Sequence, residues 1–220
     1  LGNITSISVN GVLKYSYEYD DLGQLTREND ANKGQTCVYV YDNAGNITLR
    51  KVYAYTTAAT VTGEPTYTTV YGYTDSSWGD KLTSYDGRAI TYDEIGNPLS
   101  YYNGVEYTLA WTAGRRLESA SFAGNVVSYT YNDDGIRTSK TVGGIVHEYH
   151  LAGSQILSEE WNENGTQHLI VYHYDAAGLP IGMTYRNSGY SSYECDTFIY
   201  VKNLQGDIIK VLDVSGNLLV

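Results

Sequence analysis

The chain has 220 residues and a formal net charge of −11 at pH 7. This charge would repel a phosphate backbone and the sequence has no basic stripe, which excludes nucleic acid as a partner. The best apolar run, His168 to Tyr174, falls well short of the roughly 18 residues that a membrane-crossing helix needs, so no membrane span is predicted.

A predicted strand ends at Tyr19, and its side chains alternate between two faces. Tyrosines occupy one face and polar residues the other: Tyr15, Tyr17 and Tyr19 against Lys14, Ser16 and Glu18. Aromatic residues with a period of two indicate a half-buried β-strand. Similar alternation occurs around Tyr71 and Tyr129, so strands of this kind are expected along the whole chain.

The next segment, Val38 to Arg50, shows how such a strand turns. Asp42 follows Tyr41, and its carboxylate suits the first position of a type I turn, where it accepts a backbone N–H two residues on. Gly45 supplies the positive φ with which the second strand leaves a bulged hairpin. The aspartate is therefore interpreted as a turn residue rather than a catalytic carboxylate.

This Tyr-Asp-x-x-Gly phrase recurs along the sequence. Successive aromatic anchors lie 18 to 32 residues apart; they are Tyr19, Tyr41, Tyr73, Tyr92, Trp111, Tyr131, Tyr149, Tyr174 and Tyr200. A unit of this length predicts an array of small repeats that each need their neighbours to bury surface. We therefore expect residues 1–220 to form a single repeat array cut from a longer chain.

Shorter turn signals lie between the copies of this motif. Glycine-containing pairs such as Asn10-Gly11 and Asn103-Gly104 separate short strand-like runs, as tight two-residue hairpins do. The Thr-rich segment 54–70 coincides with the longest gap between anchors and is predicted to be an insertion-type loop within the array. No stretch has a sustained helical period, which predicts an all-β chain of antiparallel hairpins.

The aromatic composition favours one layer of sheet. The chain has 24 Tyr and 23 Gly but only 2 Phe, whereas a conventional sandwich core uses branched aliphatic residues and Phe. A buried tyrosine removes about 150–250 Å² from water and keeps a hydroxyl for a partner. Stacked tyrosine rows could therefore support a sheet one layer thick, with an ordinary two-layer sandwich as the alternative.

The sequence contains candidates for a metal site and for a catalytic pair. His147 and His150 point to opposite faces of a strand, which argues against a zinc site. Glu159 and Glu160 also face opposite ways, and Glu163 is placed in a turn, so they do not form a glycosidase pair. Neither catalytic residues nor a cofactor or metal is predicted. Trp78 and Trp161 remain speculative glycan contacts, with packing at the margin of the tyrosine layer as the alternative.

The recurring phrase, together with the segment from Tyr200 to Asn217, resembles the RHS/YD-repeat family of bacterial polymorphic toxins and wall-associated proteins. The resemblance covers essentially the whole chain and implies a curved, single-layer spiral of β-hairpins, part of an RHS/YD-repeat shell. It carries over to structural residues only: Tyr19, Asp20, Gly23, Tyr41, Asp42, Gly45, Tyr92, Asp93, Gly96, Tyr131, Gly135, Tyr174, Asp175 and Gly178. Asn132 replaces the aspartate in one repeat.

The resemblance implies a non-catalytic shell segment that encapsulates or presents a C-terminal toxin domain, in a protein that is secreted or at the cell surface. The alternative is a cell-surface module for adhesion or carbohydrate binding. Self-association through the edges of the terminal strands is also expected, because unpaired edges invite pairing with another copy. Cys37 and Cys195 are expected to be separate thiols, with a disulfide between them as the alternative.

Overall fold

The computed structural model describes residues 2–203 and 205–220, and this part of the chain contains 19 β-strands and no helix. The predicted all-β fold of repetitive antiparallel hairpins is confirmed. The chain divides into two compact units, Leu1–Gly104 and Val105–Val220.

The first unit contains nine strands. They are β1 (Ser6–Val9), β2 (Val12–Tyr19), β3 (Leu25–Asp30), β4 (Gln35–Tyr41), β5 (Ile47–Ala54), β6 (Tyr67–Gly72), β7 (Ser84–Tyr85), β8 (Arg88–Ala89) and β9 (Ser100–Tyr102). Strands β1 to β8 form one sheet in which each pairs antiparallel with the next. The strand order follows the chain order without a crossover.

The second unit contains ten strands in the same arrangement. They are β10 (Glu106–Thr112), β11 (Arg116–Phe122), β12 (Asn125–Tyr131), β13 (Arg137–Val142), β14 (Ile145–Ala152), β15 (Gln155–Glu163), β16 (Thr166–Tyr174), β17 (Pro180–Asn187), β18 (Asp196–Lys202) and β19 (Ile208–Asp213). Each of these strands also pairs antiparallel with its successor.

A register shift accompanies the anchor tyrosines. In β2, β4, β12 and β16 the pairing shifts between the anchor and the residue before it. Such a bulge places two residues of one strand opposite one residue of the other and increases the local twist. The anchor therefore occupies a defined place, immediately after a bulge and immediately before a turn.

Two-residue turns close most of the remaining hairpins. At Asn10-Gly11, Asp86-Gly87, Gly143-Gly144 and Asn164-Gly165, both central residues have positive φ, as a type I′ turn requires. Asn103-Gly104 also lies between two strands, β9 and β10, but only the glycine has positive φ there. Ala113-Gly114 and Ala123-Gly124 adopt the type I′ conformation without the usual asparagine or aspartate.

Each unit buries few side chains. Among the described residues, only Cys37 and Ile90 are buried hydrophobic side chains, whereas seven polar or charged residues are buried. A two-layer sandwich would bury the inner faces of both sheets, so the burial pattern agrees with single-layer sheets. Most tyrosines are half-buried, which leaves their hydroxyls able to reach hydrogen-bond partners.

The long connection in the first unit is shorter than predicted. Strand β5 ends at Ala54 and β6 begins at Tyr67, so the loop spans residues 55–66. The remainder of the predicted segment 54–70 lies in these two strands. The antiparallel pairing of β5 with β6 continues the sheet across the loop.

Candidate functional site

In five repeats, the hydroxyl group of the anchor tyrosine reaches back to an earlier part of the chain. It donates a hydrogen bond to a backbone carbonyl oxygen: Tyr19 to Ile4 at 2.8 Å, Tyr41 to Leu25 at 2.7 Å, Tyr92 to Leu82 at 2.6 Å, Tyr131 to Leu117 at 2.8 Å, and Tyr174 to Ile156. Alternation in the sequence gives the face of each tyrosine but not its acceptor. In these five repeats the bond links the hairpin to the part of the chain that precedes it.

The aspartate that follows the anchor organises the turn. Asp42 Oδ1 accepts the backbone N–H groups of Ala44 and Asn46, both at 2.9 Å, and Oδ2 accepts the side-chain amide of Asn46 at 3.0 Å. The backbone N–H of Gly45, which has φ of +91°, donates to the Asp42 carbonyl at 3.2 Å. Asp20, Asp93 and Asp175 accept the equivalent backbone bonds.

Hydrogen bonding shifts the acidity of these turn carboxylates. The side-chain amide of Asn46, with the backbone donors of the turn, lowers the pKa of Asp42 below its ordinary value of 3.8. At Asp93, desolvation opposes the charge, but hydrogen bonds from Asn97 outweigh it and the pKa is also lowered. Stabilised anions of this kind are structural acceptors and are poor general acids at neutral pH.

Asn132 takes the place of the aspartate in one repeat and keeps part of the pattern. Its side-chain oxygen accepts the backbone N–H of Ile136 at 2.8 Å, and its carbonyl accepts the N–H of Gly135 at 2.9 Å. Arg116 from the preceding hairpin donates to the carbonyls of Asn132 and Asp133, both at 3.1 Å. A charged donor from outside the turn therefore supports it.

Two further turns of this type lie near the end of the chain. Asp213 and Asn217 repeat the arrangement of Asp42 and Asn46, with the amide donating to the carboxylate at 2.8 Å. At Asn203 and Asp207 the two residue types are exchanged, yet the amide still donates to the carboxylate, at 2.9 Å. The pairing of Asp with Asn around the glycine could have identified the first of these turns from the sequence.

Trp161 stands in a stack of rings on one face of the second unit. The imidazoles of His147 and His168 lie on either side of it, each 4.7 Å from it between ring centroids, with interplanar angles of 23° and 4°. Tyr185 extends the stack, 5.9 Å from His168. A sugar ring that stacked on Trp161 would have to displace one imidazole, so the proposed glycan contact is covered on both faces.

Glu159 lies beneath this stack and is almost fully buried, with 6% of its side chain exposed. Its carboxylate accepts Lys140 Nζ at 2.9 Å, pairs with His147 Nδ1 at 2.7 Å and accepts the Tyr172 hydroxyl at 2.7 Å. Burial opposes the charge of Glu159, but the donors, Lys140 first, outweigh it and lower the pKa. Burial and the hydrogen bond to Glu159 raise the pKa of Tyr172.

The other predicted carboxylates do not join Glu159. Glu160 points to the opposite face and pairs with His150 at 2.8 Å, as alternation predicts. Glu163 was expected in a turn, but it is the last residue of β15 and pairs with Thr166. The His173 imidazole bonds the Thr184 hydroxyl at 2.7 Å.

Trp78 occupies the loop between β6 and β7 and is 51% exposed. The ring lies over Gly96, in the turn that Asp93 organises: a Cβ added to that glycine would be 3.1 Å from Cζ3 of the tryptophan. Asp75 holds the loop by accepting the backbone N–H of Trp78 at 3.1 Å and the ammonium of Lys81 at 3.0 Å. The tryptophan thus covers a turn and keeps about half of its surface free.

Sequence reasoning missed a buried polar network in the first unit. The Arg27 guanidinium donates to Asn29 Oδ1 at 2.9 Å and to the carbonyls of Thr56 at 2.7 Å and Ala58 at 2.8 Å. The Thr36 hydroxyl, fully buried, donates to Asn29 at 2.9 Å and accepts the N–H of Thr56 at 3.0 Å. This network fastens the loop 55–66 to the sheet.

Comparison with known proteins identifies one repeat unit. Residues 19–58 match the family model described as RHS Repeat. The tRNA3(Ser)-specific nuclease WapA of Bacillus spizizenii is 28% identical over 204 residues, and the tRNA nuclease WapA of Bacillus subtilis is 29% identical over 205 residues. These matches cover 91% and 90% of this chain, but the chain spans only 8% of the length of either relative.

Solved structures of low identity were also found. A Tc holotoxin pore of Photorhabdus luminescens matches 90% of this chain with a TM-score of 0.44 and 13% identity. A TcdB2–TccC3–Cdc42 complex matches 93% with a TM-score of 0.42 and 13% identity. In both cases the match covers 12% of the solved chain.

Proposed function

Because this chain is an RHS/YD-repeat protein, we propose that its hairpins are a non-catalytic wall segment that encloses or presents a C-terminal toxin domain of the full-length protein. The structural role rests on how the repeat residues are used. The anchor tyrosines bond the preceding hairpins, and the turn aspartates bond their own turns. These groups build a continuous surface and present no reactive atom to a substrate.

The single observation that carries this proposal is the series of tyrosine hydroxyl bonds. Each of the five bonds joins an anchor side chain to the backbone of an earlier part of the chain, so it ties that repeat to what precedes it. A repeat array of this kind is stabilised by contacts between nearest neighbours. Such an array can extend a wall without a hydrophobic core of its own.

The enzymatic activity in the names of the relatives can be assigned to a part of the protein outside these residues. Both curated relatives are named as tRNA nucleases, and this chain corresponds to a small part of each. We assign the toxic activity of the full-length protein, by analogy, to a separate C-terminal domain. The acidic charge of the present segment, −11, is unsuited to holding tRNA.

A wall around a toxin suits a protein that leaves the cell, so we also propose a secreted or cell-surface location. Among residues 2–203 and 205–220, no helix is long and apolar enough to cross a membrane.

The experiment that tests enclosure is limited proteolysis of the full-length protein. The C-terminal domain is expected to survive protease levels that degrade the same domain expressed alone. Combined Tyr41→Phe, Tyr131→Phe and Tyr174→Phe substitutions should loosen the wall and increase cleavage, whereas the exposed Tyr193→Phe substitution should not. Equal cleavage of the free domain and the full-length protein would contradict enclosure.

A carbohydrate-binding or adhesion module is the second candidate, and the exposed half of Trp78 favours it. Tryptophan faces of this kind can stack on sugar rings. Under this alternative, Trp78→Ala abolishes retention on a glycan array, while Trp161→Ala leaves retention unchanged because both faces of its ring are covered. Retention that survives Trp78→Ala would remove this candidate.

A further inference from the structure

A groove with a volume of about 320 Å³ lies in the second unit, and of its lining residues only His168 belongs to the aromatic stack. Glu160, Leu169 and Arg186 form a cross-strand row in the groove, from β15 through β16 to β17. Gln167 and Ser188 line one end. Because neighbouring residues alternate between faces, this row lies on the face opposite Trp161 and His168.

The two charged groups of the row are available to a ligand. Among the residues that the structure describes, no carboxylate lies within ion-pair distance of the Arg186 guanidinium, and Arg186 has no side-chain hydrogen bond. Glu160 uses Oε1 for His150 at 2.8 Å, which leaves Oε2 unused, and 47% of its side chain is exposed. A guanidinium binds a carboxylate through two parallel hydrogen bonds, and a carboxylate accepts an ammonium.

The spacing of these charges restricts the ligand. Glu160 and Arg186 are two strands apart, which corresponds to about 10 Å across a sheet. Leu169 lies between them and offers an apolar floor. A single amino acid is too short to bridge the row, because its ammonium and carboxylate share one carbon. A peptide chain of three residues spans about 10 Å when extended.

We propose that this groove binds a short zwitterionic peptide of about three small residues, with its terminal carboxylate on Arg186, its terminal ammonium on Glu160 and its middle over Leu169. The volume of the groove is at the lower end of the range for small-molecule sites, which is about 300–1,000 Å³. This site is independent of the wall function.

The test is a titration of the 220-residue chain with trialanine, monitored by backbone NMR. Free trialanine should cause saturable shifts at Leu169 and Arg186. N-acetyl-trialanine and trialanine amide should each bind about tenfold more weakly, as expected when one charge-assisted contact is lost. No saturable shift up to about 10 mM, or equal binding of free and capped peptides, would overturn the proposal.

Two variants test which residue binds which end of the peptide. Arg186→Gln should abolish the preference for a free carboxyl terminus, and Glu160→Gln should abolish the preference for a free amino terminus. Glu148→Gln is the matched control, because Glu148 pairs with Glu160 in the same row but lies outside the groove. If Glu148→Gln weakened binding as much as Glu160→Gln did, the effect would be one of general charge and the site would be rejected.

Discussion

In five repeats, one hydroxyl group joins the anchor tyrosine to the backbone of an earlier part of the chain. The ring could pack on the sheet without this group, so the hydroxyl adds direction to an otherwise apolar contact. Loss of the donor leaves a part-buried carbonyl without its partner, and such groups are expensive to leave unpaired.

Tyr41→Phe tests the contribution of this bond. The substitution removes the donor to Leu25 and is expected to lower the free energy of unfolding by about 1 kcal/mol. Urea denaturation, monitored by tyrosine fluorescence, measures the change in the free energy of unfolding. Tyr193→Phe is the matched control, because Tyr193 is 98% exposed and should unfold like the unmodified chain; an equal loss in both variants would contradict the role of the bond.

Asp42 gives a prediction about pH. Its pKa is lowered in the folded chain, so the stability it contributes is present above its unfolded pKa and is lost as the pH falls through the folded value. Asn46→Ala removes the first cause of this shift and should raise the pKa of Asp42 toward 3.8. Carboxyl NMR titration measures it.

Asn97→Ala is the reciprocal control for that titration. It should raise the pKa of Asp93, whose hydrogen bonds come from Asn97, and leave Asp42 unchanged. A shift of Asp42 in the Asn97 variant, or none in the Asn46 variant, would show that the turn amides do not set these acidities.

At the level of the elements, Gly182 lets β17 approach β18 closely. A Cβ at this position would lie 2.4 Å from the backbone oxygen of Phe198, so Gly182→Ala forces the strands apart. We expect a loss of about 1–3 kcal/mol, as for other overpacked sites. Thermal unfolding tests this against Gly79→Ala, where nothing lies within 4 Å of the new Cβ and no loss is expected.

The exchanged turn at Asn203 and Asp207 is a second test of an element. Asn203→Asp places two carboxylates where an amide now donates at 2.9 Å, and should destabilise the hairpin by about 0.5–1 kcal/mol at low salt. Adding Asp207→Asn creates the order found at Asp42 and Asn46 and should restore the unfolding midpoint. Failure of the double variant to recover would show that the order of the two residues matters.

The hairpins were predictable because their determinants are local. Asp42 and Gly45 lie within four residues of each other, and the alternation around Tyr41 identifies the strand that they terminate. The network of Arg27 was not predictable, because the carbonyls that cover it belong to residues 29 and 31 positions away. The insertion was visible in the sequence, but its contacts were not.

The candidate site, too, was predictable from the sequence only in part. Alternation correctly placed Glu159 and Glu160 on opposite faces, since that depends on one strand only. The stack around Trp161 depends on the register of three strands, and alternation within one strand does not give that register. For this reason the tryptophan could be proposed as a glycan contact although both of its faces are covered.

At the scale of the whole molecule, the extensive contacts join strands that follow one another along the chain. Damage in such an array should remain close to its origin. Glu159→Gln is therefore expected to weaken the part of the second unit around β13 to β16 by about 2 kcal/mol, through the loss of charge-assisted bonds to Lys140 and His147.

Hydrogen exchange followed by mass spectrometry measures that localisation. Amide exchange should rise in β13 to β16 of the Glu159→Gln variant and stay unchanged in β1 to β5. Glu160→Gln, which alters a neighbouring carboxylate with 47% of its side chain exposed, should have little effect. A uniform rise along the whole chain would indicate one cooperative unit instead of an array.

The tyrosine bonds also have a direction in time. Every acceptor precedes its donor in the chain: Ile4 before Tyr19, Leu25 before Tyr41, Leu117 before Tyr131. When the chain leaves the ribosome or a secretion channel with its amino end first, each new tyrosine emerges after the carbonyl that it needs has already folded. The hairpins can therefore be added one at a time in the order of synthesis. The donor tyrosine of each new hairpin finds its acceptor carbonyl already synthesised.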